Sequence, residues 1–274
     1  MGLANQTVRI GLVVALLVGA LPLQAHAQYN RPADEDHWKV GLGVGMRPDY
    51  EGSDEYEPFP IGFARYDSAS GRYAAIKGTE SSGAAVRVEG NLIASKMWQF
   101  GPVLQYRLPR KDVGNGHVDD MDNIDAAYEL GGFVGANFEG WLARLTGVGD
   151  VSGEHEGGLV ELMGGYENAY DSGLGVAWHV ATTWASDGYM ETYFGVTPGD
   201  AARSGLPTYT TGYGIKDVGT RLAMSWGGGS WGPWRLYGIF SYFRLVENAE
   251  DSPIVDGVGD PNQFFGGIAL AYER

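Results

Sequence analysis

The chain has 274 residues, and 44 of them are glycine, a residue that destabilises helix interiors, so the composition disfavours a largely helical protein. Cysteine is absent, which excludes disulfide frameworks, thiolate metal sites and cysteine nucleophiles. The formal net charge of −15 disfavours binding to the phosphate backbone of nucleic acid, while an aromatic content of 12% argues against an acidic disordered chain.

The first 27 residues have the pattern of a secretory signal peptide. Arg9 supplies a positive charge before the apolar stretch 10–20, and Ala25-His26-Ala27 is a small-x-small cleavage site before Gln28. The apolar stretch is too short for a membrane anchor, and no later segment offers 18 uninterrupted apolar residues. We therefore predict a signal peptide at 1–27, cleaved between Ala27 and Gln28, and one exported domain at 28–274.

After this segment, apolar residues alternate with polar or small ones at a period of two, which is typical of β-strands. The stretch from Trp98 to Arg107, for example, puts Trp, Phe, Pro, Leu and Tyr on one face. Most of these segments are close to the length of about 9–11 residues with which a tilted strand crosses a bilayer, and aromatic residues stand at many of their ends. Twelve segments follow the pattern, at 38–46, 59–66, 72–77, 84–93, 97–107, 126–138, 141–149, 158–167, 173–182, 216–226, 233–245 and 263–273.

The connections between these segments alternate in length, since each odd-numbered connection is longer than the even-numbered one after it. A barrel with short periplasmic turns and long external loops predicts this parity, whereas a soluble β-sandwich does not. We therefore predict an all-β fold, a transmembrane antiparallel up-and-down β-barrel of about 12 strands with long acidic external loops. Its predicted location is the outer membrane of a Gram-negative bacterium. The short connections are 67–71, 94–96, 139–140, 168–172 and 227–232.

Charged residues on the polar face would point into the lumen of this barrel, and their signs are nearly balanced. Balanced charges can pair across a narrow interior, so the pattern leaves open whether the lumen is a channel or is closed. These residues are Lys39, Arg87, Glu89, Arg107, Glu129, Arg144, Glu161, Asp217, Arg221 and Arg235.

Strings along the whole exported part resemble the MipA/OmpV family of outer-membrane proteins. They are Pro48-Asp49-Tyr50-Glu51-Gly52-Ser53-Asp54, Gly101-Pro102 with Tyr106-Arg107 and Arg110, Glu129-Leu130-Gly131-Gly132-Phe133, Ala185-Ser186-Asp187-Gly188-Tyr189-Met190 with Tyr193-Phe194-Gly195-Val196-Thr197, and Asp251-Ser252-Pro253-Ile254-Val255. The resemblance makes the loop residues among them our candidate functional residues. They are Pro48, Asp49, Tyr50, Glu51, Gly52, Ser53, Ser186, Asp187, Tyr189, Met190, Tyr193, Phe194, Gly195, Asp251, Ser252 and Pro253.

This resemblance implies a non-catalytic barrel that acts as a scaffold between a murein lytic transglycosylase and a penicillin-binding murein synthase. Other members of the family resemble porins, adhesins and stress proteins, so a porin-like channel or an adhesin or stress-response barrel is the alternative. A scaffold of this shape would have to dock its partners on short turns such as 67–71 and 227–232. We expect outer-membrane lipid around the barrel, and neither a cofactor nor a nucleic-acid partner.

Three features of the loops bear on whether the chain has chemistry of its own. Acidic residues concentrate in 47–58 and 246–262, which predicts a solvated surface, with divalent-cation binding as an alternative that lacks EF-hand spacing. The segment 183–215 is too long for a structureless connection, so we expect it to be functional or to fold into the lumen. His179, Ser186 and Asp187 are the nearest approach to a catalytic triad, but no Gly-x-Ser-x-Gly elbow accompanies them, and we predict no enzyme activity.

Overall fold

Twelve antiparallel strands close into one barrel in the computed structural model, which describes residues 35–79 and 81–274. The predicted fold class is therefore confirmed, while the predicted signal peptide and its cleavage site at Ala27 and Gln28 lie outside the described residues. The strands are β1 (His37–Pro48), β2 (Tyr56–Asp67), β3 (Tyr73–Gly78), β4 (Ala85–Asn91), β5 (Trp98–Arg107), β6 (Ala127–Phe138), β7 (Trp141–Asp150), β8 (Gly158–Ala169), β9 (Leu174–Ala185), β10 (Gly214–Gly227), β11 (Trp234–Leu245) and β12 (Asn262–Glu273).

Every strand pairs with its neighbours in the sequence, and the barrel is closed by pairing of the first strand with the last. Lys39 lies opposite Glu273 at one end of this closing pair, and Met46 lies opposite Gly266 at the other. A closed sheet leaves no strand edge without hydrogen-bond partners, which is the condition for a sheet that sits in a membrane.

The period-two pattern sorts the side chains between the outer and inner faces of the wall. Outward positions carry large apolar residues such as Leu42 and Val44, each 64% exposed, and Phe100, which is 54% exposed. On these two strands, β1 and β5, the neighbouring inward positions are buried or half-buried, and apart from Val103 they carry polar or small residues. Rings meet along the outer rim, as in the stacked pair of Trp38 and Tyr272 with centroids 5.4 Å apart. The outer surface is therefore an apolar belt of a size that soluble monomers do not expose to water.

The connections lie alternately at two ends of the barrel, which we name the turn end and the loop end. The turn end holds the connections 68–72, 92–97, 139–140, 170–173 and 228–233, and the loop end holds 49–55, 79–84, 108–126, 151–157, 186–213 and 246–261. The predicted difference in length fails for one pair, because 79–84 and 92–97 both have six residues. The reason is that β4 ends early, at Asn91, whose side-chain oxygen accepts the amide N–H groups of Ile93 and Phe100.

Three helices interrupt the loop end, namely α1 (Gly116–Asp119), α2 (Asp187–Phe194) and α3 (Pro198–Ser204). Their boundaries follow local chemistry: the Asn115 side chain caps α1, while Thr197 and Asp200 form a capping box at the start of α3. A π-helical turn, Pro253–Gly257, lies in the last loop, and a 3-10 turn, Gly229–Trp231, lies at the turn end. In the described residues, no helix is both long and apolar enough to cross a membrane.

Candidate functional site

Four connections pack against one another across the loop end, and we name them the loop cap: 49–55, 108–126, 186–213 and 246–261. Helix α2 is its centre, because Tyr189, Met190 and Phe194 are completely buried. These side chains belong to a core cluster that also contains Val103 of β5 and Val255 of the last loop. Helix α2 therefore packs into the mouth of the barrel and joins the loop cap to the strands.

A polar cluster beneath α2, which we name the Glu51 clamp, consists of Glu51, Ser82, Tyr189, Lys216 and Asp217. The Lys216 ammonium donates to Asp217 Oδ2 at 2.5 Å, to Ser82 Oγ at 2.8 Å, and to Glu51 Oε1. The Tyr189 hydroxyl donates to Glu51 Oε2 at 2.7 Å. The clamp thereby ties the first loop, the 79–84 connection and α2 to strand β10.

The ionisation of the clamp holds these contacts in place. Burial by itself raises the pKa of the Glu51 carboxyl, but the charges of Lys216 and Arg107 and the hydrogen bonds from Lys216 and Ser82 outweigh it and lower that pKa below its ordinary value. Burial, together with the charge of Glu51, raises the pKa of the Tyr189 hydroxyl well above its ordinary value. Glu51 is therefore an anion and Tyr189 a donor at neutral pH, which makes their contact a charge-assisted hydrogen bond.

A second contact holds α2 from the opposite wall through Arg107. The guanidinium lies 4.8 Å from the centre of the Tyr189 ring, and the Tyr189 and Tyr193 rings have centroids 4.5 Å apart. Arg107 Nε donates to Glu129 Oε1 at 2.7 Å, and His155 Nε2 lies 3.0 Å from the same oxygen. A cation over aromatic faces in a buried site stabilises the position of the helix by about 2 kcal/mol.

Below the loop cap, ion pairs cross the lumen between strands that are not neighbours, and we name them the cross-lumen pairs. Arg87 on β4 contacts Glu161 on β8 at 3.2 Å, and Arg144 on β7 contacts Glu89 on β4 at 2.6 Å. All ten residues predicted to face the lumen are buried or half-buried on the inner face of the wall. The interior is thus occupied by paired charges under a packed cap.

Comparison of the sequence with known proteins identifies the family of this chain. The sequence matches the family described as MltA-interacting protein MipA over residues 40–274. The chain belongs to the MipA family. It is 32% identical over 149 residues to the MltA-interacting protein of Escherichia coli (strain K12), a match that covers 53% of this chain and 57% of that protein. The MltA-interacting protein of Shigella flexneri gives the same figures, so the match spans less than two thirds of these relatives.

Solved structures similar to this MipA-family chain are barrels. The NanC porin has a TM-score of 0.44 at 12% sequence identity, covering 85% of this chain and 98% of its own. The CymD monoaromatic hydrocarbon channel has a TM-score of 0.38 at 9% identity, covering 93% of this chain and 98% of its own.

The first candidate motif of the MipA-family chain lies where β1 runs into the loop cap. Pro48 ends β1, and Asp49 accepts an amide N–H from the 108–126 connection at 2.7 Å. Tyr50 is buried in the cap, and this burial raises the pKa of its hydroxyl to about 12. Gly52 has a φ of 99°, a conformation that other residues rarely adopt, and Ser53 Oγ accepts the amide of the residue two positions further on at 3.0 Å. The motif forms a tight, buried bend that delivers Glu51 to the clamp.

The other candidate residues flank or cover α2. Ser252 Oγ donates to the Phe194 carbonyl at 2.6 Å, which joins the last loop to the C-terminal end of the helix. Ser186 and Asp187 bind backbone amides, of Gly158 at 2.8 Å and Tyr213 at 2.7 Å. The remaining positions are described together: Met190 and Tyr193 are buried on α2, Gly195 follows it, Asp251 is exposed, and Pro253 begins the π-helical turn. The structure therefore brings the three groups of candidate loop residues, within 48–53, 186–195 and 251–253, together in the loop cap.

The triad-like residues do not form a catalytic arrangement with one another. His179 Nε2 lies 2.8 Å from Glu167 Oε1, and the Ser186 and Asp187 oxygens are occupied by the backbone contacts given above. Across residues 35–79 and 81–274, no group of three or more His, Asp or Glu side chains is placed to hold one metal ion.

Three clamp residues lie outside the motifs: Asp217 was predicted to face the lumen, but sequence reasoning missed Lys216 and Ser82. Strict alternation from Val218 would put Lys216 on the outer face, but a bulge between Ile215 and Asp217 breaks the register, and Lys216 is buried inside beside Asp217. A lysine on the lipid face of a barrel is costly, so its presence at an outward position of a strand pattern signals a bulge at that residue. Ser82 lies in a short connection with no pattern to read.

Proposed function

We propose that this chain is a non-catalytic outer-membrane barrel that docks a murein lytic transglycosylase on its turn end and links it to a penicillin-binding murein synthase. Before insertion, the predicted signal peptide at 1–27 directs export and is removed. One observation about the barrel interior carries the proposal. The cross-lumen pairs and the loop cap occupy the path along which a solute would pass. A filled barrel is better suited to holding proteins together than to transport.

Membrane insertion is supported by the outer surface of the wall. Its side chains include Leu42, Phe100, Leu130 and Ile268, each more than half exposed. Removing such side chains from water stabilises the inserted state by about 25 cal/mol for each Å² of apolar surface. A closed barrel also satisfies every strand edge, which is required in hydrocarbon. In such barrels, short turns face the periplasm, so the turn end would face the murein layer.

The partner is proposed from the relatives, which are named MltA-interacting proteins. Among the described residues, the turns 68–72, 92–97, 139–140, 170–173 and 228–233 and the adjoining strand ends are within reach of a periplasmic enzyme. The absence of catalysis by the barrel itself is supported by the engagement of His179, Ser186 and Asp187 with other groups.

Retention of a purified MltA-type transglycosylase on the immobilised barrel tests this proposal. Ser70 is exposed in a turn at the turn end, and Thr210 is exposed at the loop end, so Ser70→Arg and Thr210→Arg place the same bulky charge on opposite ends. We expect Ser70→Arg to weaken retention and Thr210→Arg to leave it unchanged. A barrel that retains no transglycosylase, or equal effects of the two variants, would contradict docking at the turn end.

A gated channel is the second candidate, because the inner wall is lined with charged side chains and would be polar if α2 moved out. Single-channel conductance in a planar bilayer separates the two functions. We expect the intact protein to be silent. Steady conductance of the intact barrel would overturn the proposal of a closed lumen, and conductance after deletion of 187–213 would identify α2 as a plug.

A calorimetric titration with calcium tests cation binding by the acidic loops.

A further inference from the structure

The outer wall carries an apolar groove of about 750 Å³ that runs across β10, β11, β12 and β1. Its floor contains two outward-facing glycines. Gly238 lies between Met224 and Ile268 on the neighbouring strands, and Gly266 lies between Phe240 and Met46. Because each glycine lacks a side chain between two large ones, the surface is lower at these points than along the rest of the belt.

A second cavity, of about 530 Å³, lies at the turn end between the connections 170–173 and 228–233. It differs from the groove in chemistry, because its lining includes the charged residues Asp171 and Arg235 and the hydroxyl groups of Ser172 and Ser230. The Trp231 ring also lines it and packs against Trp226, with centroids 5.1 Å apart. This cavity is therefore a polar cleft with an aromatic wall.

The groove and the cleft adjoin, since Leu174 and Trp226 line both of them. Together they form an amphipathic site, with an apolar part on the membrane-facing wall and a polar part at the rim. The rim is also where Trp226, Trp231 and Trp234 are exposed, and tryptophan marks the boundary between hydrocarbon and headgroups. The site therefore changes from apolar to polar at the same depth at which the leaflet changes from hydrocarbon chains to headgroups.

We propose that the groove and cleft bind one phospholipid of the leaflet at the turn end, with an acyl chain in the groove and a zwitterionic headgroup in the cleft. The groove opens into the apolar belt, where hydrocarbon chains are the surrounding solvent. In the cleft, the Asp171 carboxylate complements the ammonium of such a headgroup, and the hydroxyl groups of Ser172 and Ser230 can donate to its phosphate. The Arg235 guanidinium, which also lines the cleft, is paired with Glu273 at 2.7 Å. This inference rests on the proposed membrane insertion, and it is independent of the proposed transglycosylase partner.

A second copy of the chain fits the groove less well than a lipid. The glycine floor lies below the surrounding side chains, where a flexible acyl chain can reach and the wall of another barrel cannot.

Two matched variants test the site. A Cβ added at Gly238 meets no atom within 4 Å, and the same holds for Gly147, an outward-facing glycine on β7, away from the groove. Gly238→Leu therefore fills the groove, while Gly147→Leu adds the same side chain elsewhere, and neither variant brings its Cβ within 4 Å of another residue. Both variants and the wild type are loaded with palmitoyl-oleoyl phosphatidylethanolamine in detergent and examined by native mass spectrometry.

We expect one retained lipid in the wild type and in Gly147→Leu, and loss of that lipid in Gly238→Leu. We also expect weaker retention of phosphatidylglycerol, whose headgroup is anionic. Equal lipid retention in the three proteins would overturn the proposal, and so would a dimer that Gly238→Leu dissociates. Insertion into vesicles, measured in parallel by protection from protease, distinguishes failure of the lipid site from failure of the proposed membrane insertion.

Discussion

The Glu51 clamp makes a quantitative prediction about α2. In Glu51→Gln, the amide keeps the shape of the carboxyl but removes its charge from a cluster in which Lys216 and Tyr189 donate to it. Lys216 keeps its 2.5 Å contact with Asp217, so the ammonium is not left without an anion. The change therefore weakens the link between the first loop and α2 without creating an unpaired buried charge.

The magnitude follows from the number of bonds that change character. A hydrogen bond to a charged group contributes about 1.5–3 kcal/mol, and a neutral one contributes about 1 kcal/mol. Only the bond from Tyr189 joins α2 to residue 51, so its change from a charged to a neutral hydrogen bond should lower the free energy of opening α2 by about 0.5–2 kcal/mol. Since about 1.4 kcal/mol corresponds to a factor of ten, the backbone amides of α2 should exchange with solvent roughly 2 to 30 times faster.

Hydrogen exchange of the refolded barrel in lipid, followed by mass spectrometry of α2 peptides, is the assay. Glu57→Gln is the matched control, because Glu57 pairs with Arg47 at 2.6 Å and its side chain is 40% exposed. An exposed pair of this kind contributes about 0–1 kcal/mol, so α2 should exchange at the wild-type rate in the control. Equal exchange of α2 in Glu51→Gln and the wild type would refute the view that the clamp holds this helix.

The other predictions concern acidity, the cross-lumen pairs and close backbone contacts. Because the folded pKa of Glu51 is lowered, its contribution is complete above the unfolded pKa of about 4.3 and is lost as the pH falls through the lower folded value. The difference in α2 exchange between the wild type and Glu51→Gln should therefore disappear in acid. Arg144→Met should lower the free energy of unfolding by about 3 kcal/mol, measured by urea titration in lipid, because Glu89 loses one of its cations. Gly101→Ala should abolish the folded band in a heat-modifiability gel, since its Cβ would lie 1.7 Å from a backbone carbonyl oxygen; Gly147→Ala, with no atom within 4 Å, should fold normally.

The barrel wall was predictable because the sequence pattern that indicates each strand lies within that strand. Alternation identifies a strand within about ten residues, and all twelve predicted segments overlap the observed strands. The errors in the predicted strand ends occur where the alternation of apolar and polar residues is interrupted. Strand β2 begins at Tyr56 rather than at 59, because Pro58 and Pro60 obscure its start. The predicted segment 84–93 extends one residue before the observed strand and two residues beyond it, because Asn91 ends the strand through its side-chain hydrogen bonds.

The loop cap was less predictable, because its contacts join residues that are far apart in the chain. The clamp pairs Glu51 with a lysine 165 residues away, and no spacing rule reports such a contact. The family resemblance singled out Glu51 and Tyr189 without showing that they touch. Helix α3 could have been read from the Thr197-Pro198 start and from Asp200, which is a recognisable capping box, whereas the bulge that turns Lys216 inward was visible only as a misplaced charge.

The pairing of β1 with β12 also imposes an order of events on biogenesis. Synthesis delivers His37 early, yet the N–H and C=O groups along one side of β1 are satisfied only when the segment up to Glu273 arrives. Until then, the growing sheet has two exposed edges that can pair with any other extended chain. Arg235 and Tyr237 bind the Glu273 carboxylate inside the barrel. These contacts also form only when Glu273 is present. Until β12 is present, one side of β1 therefore has no strand of its own chain to pair with.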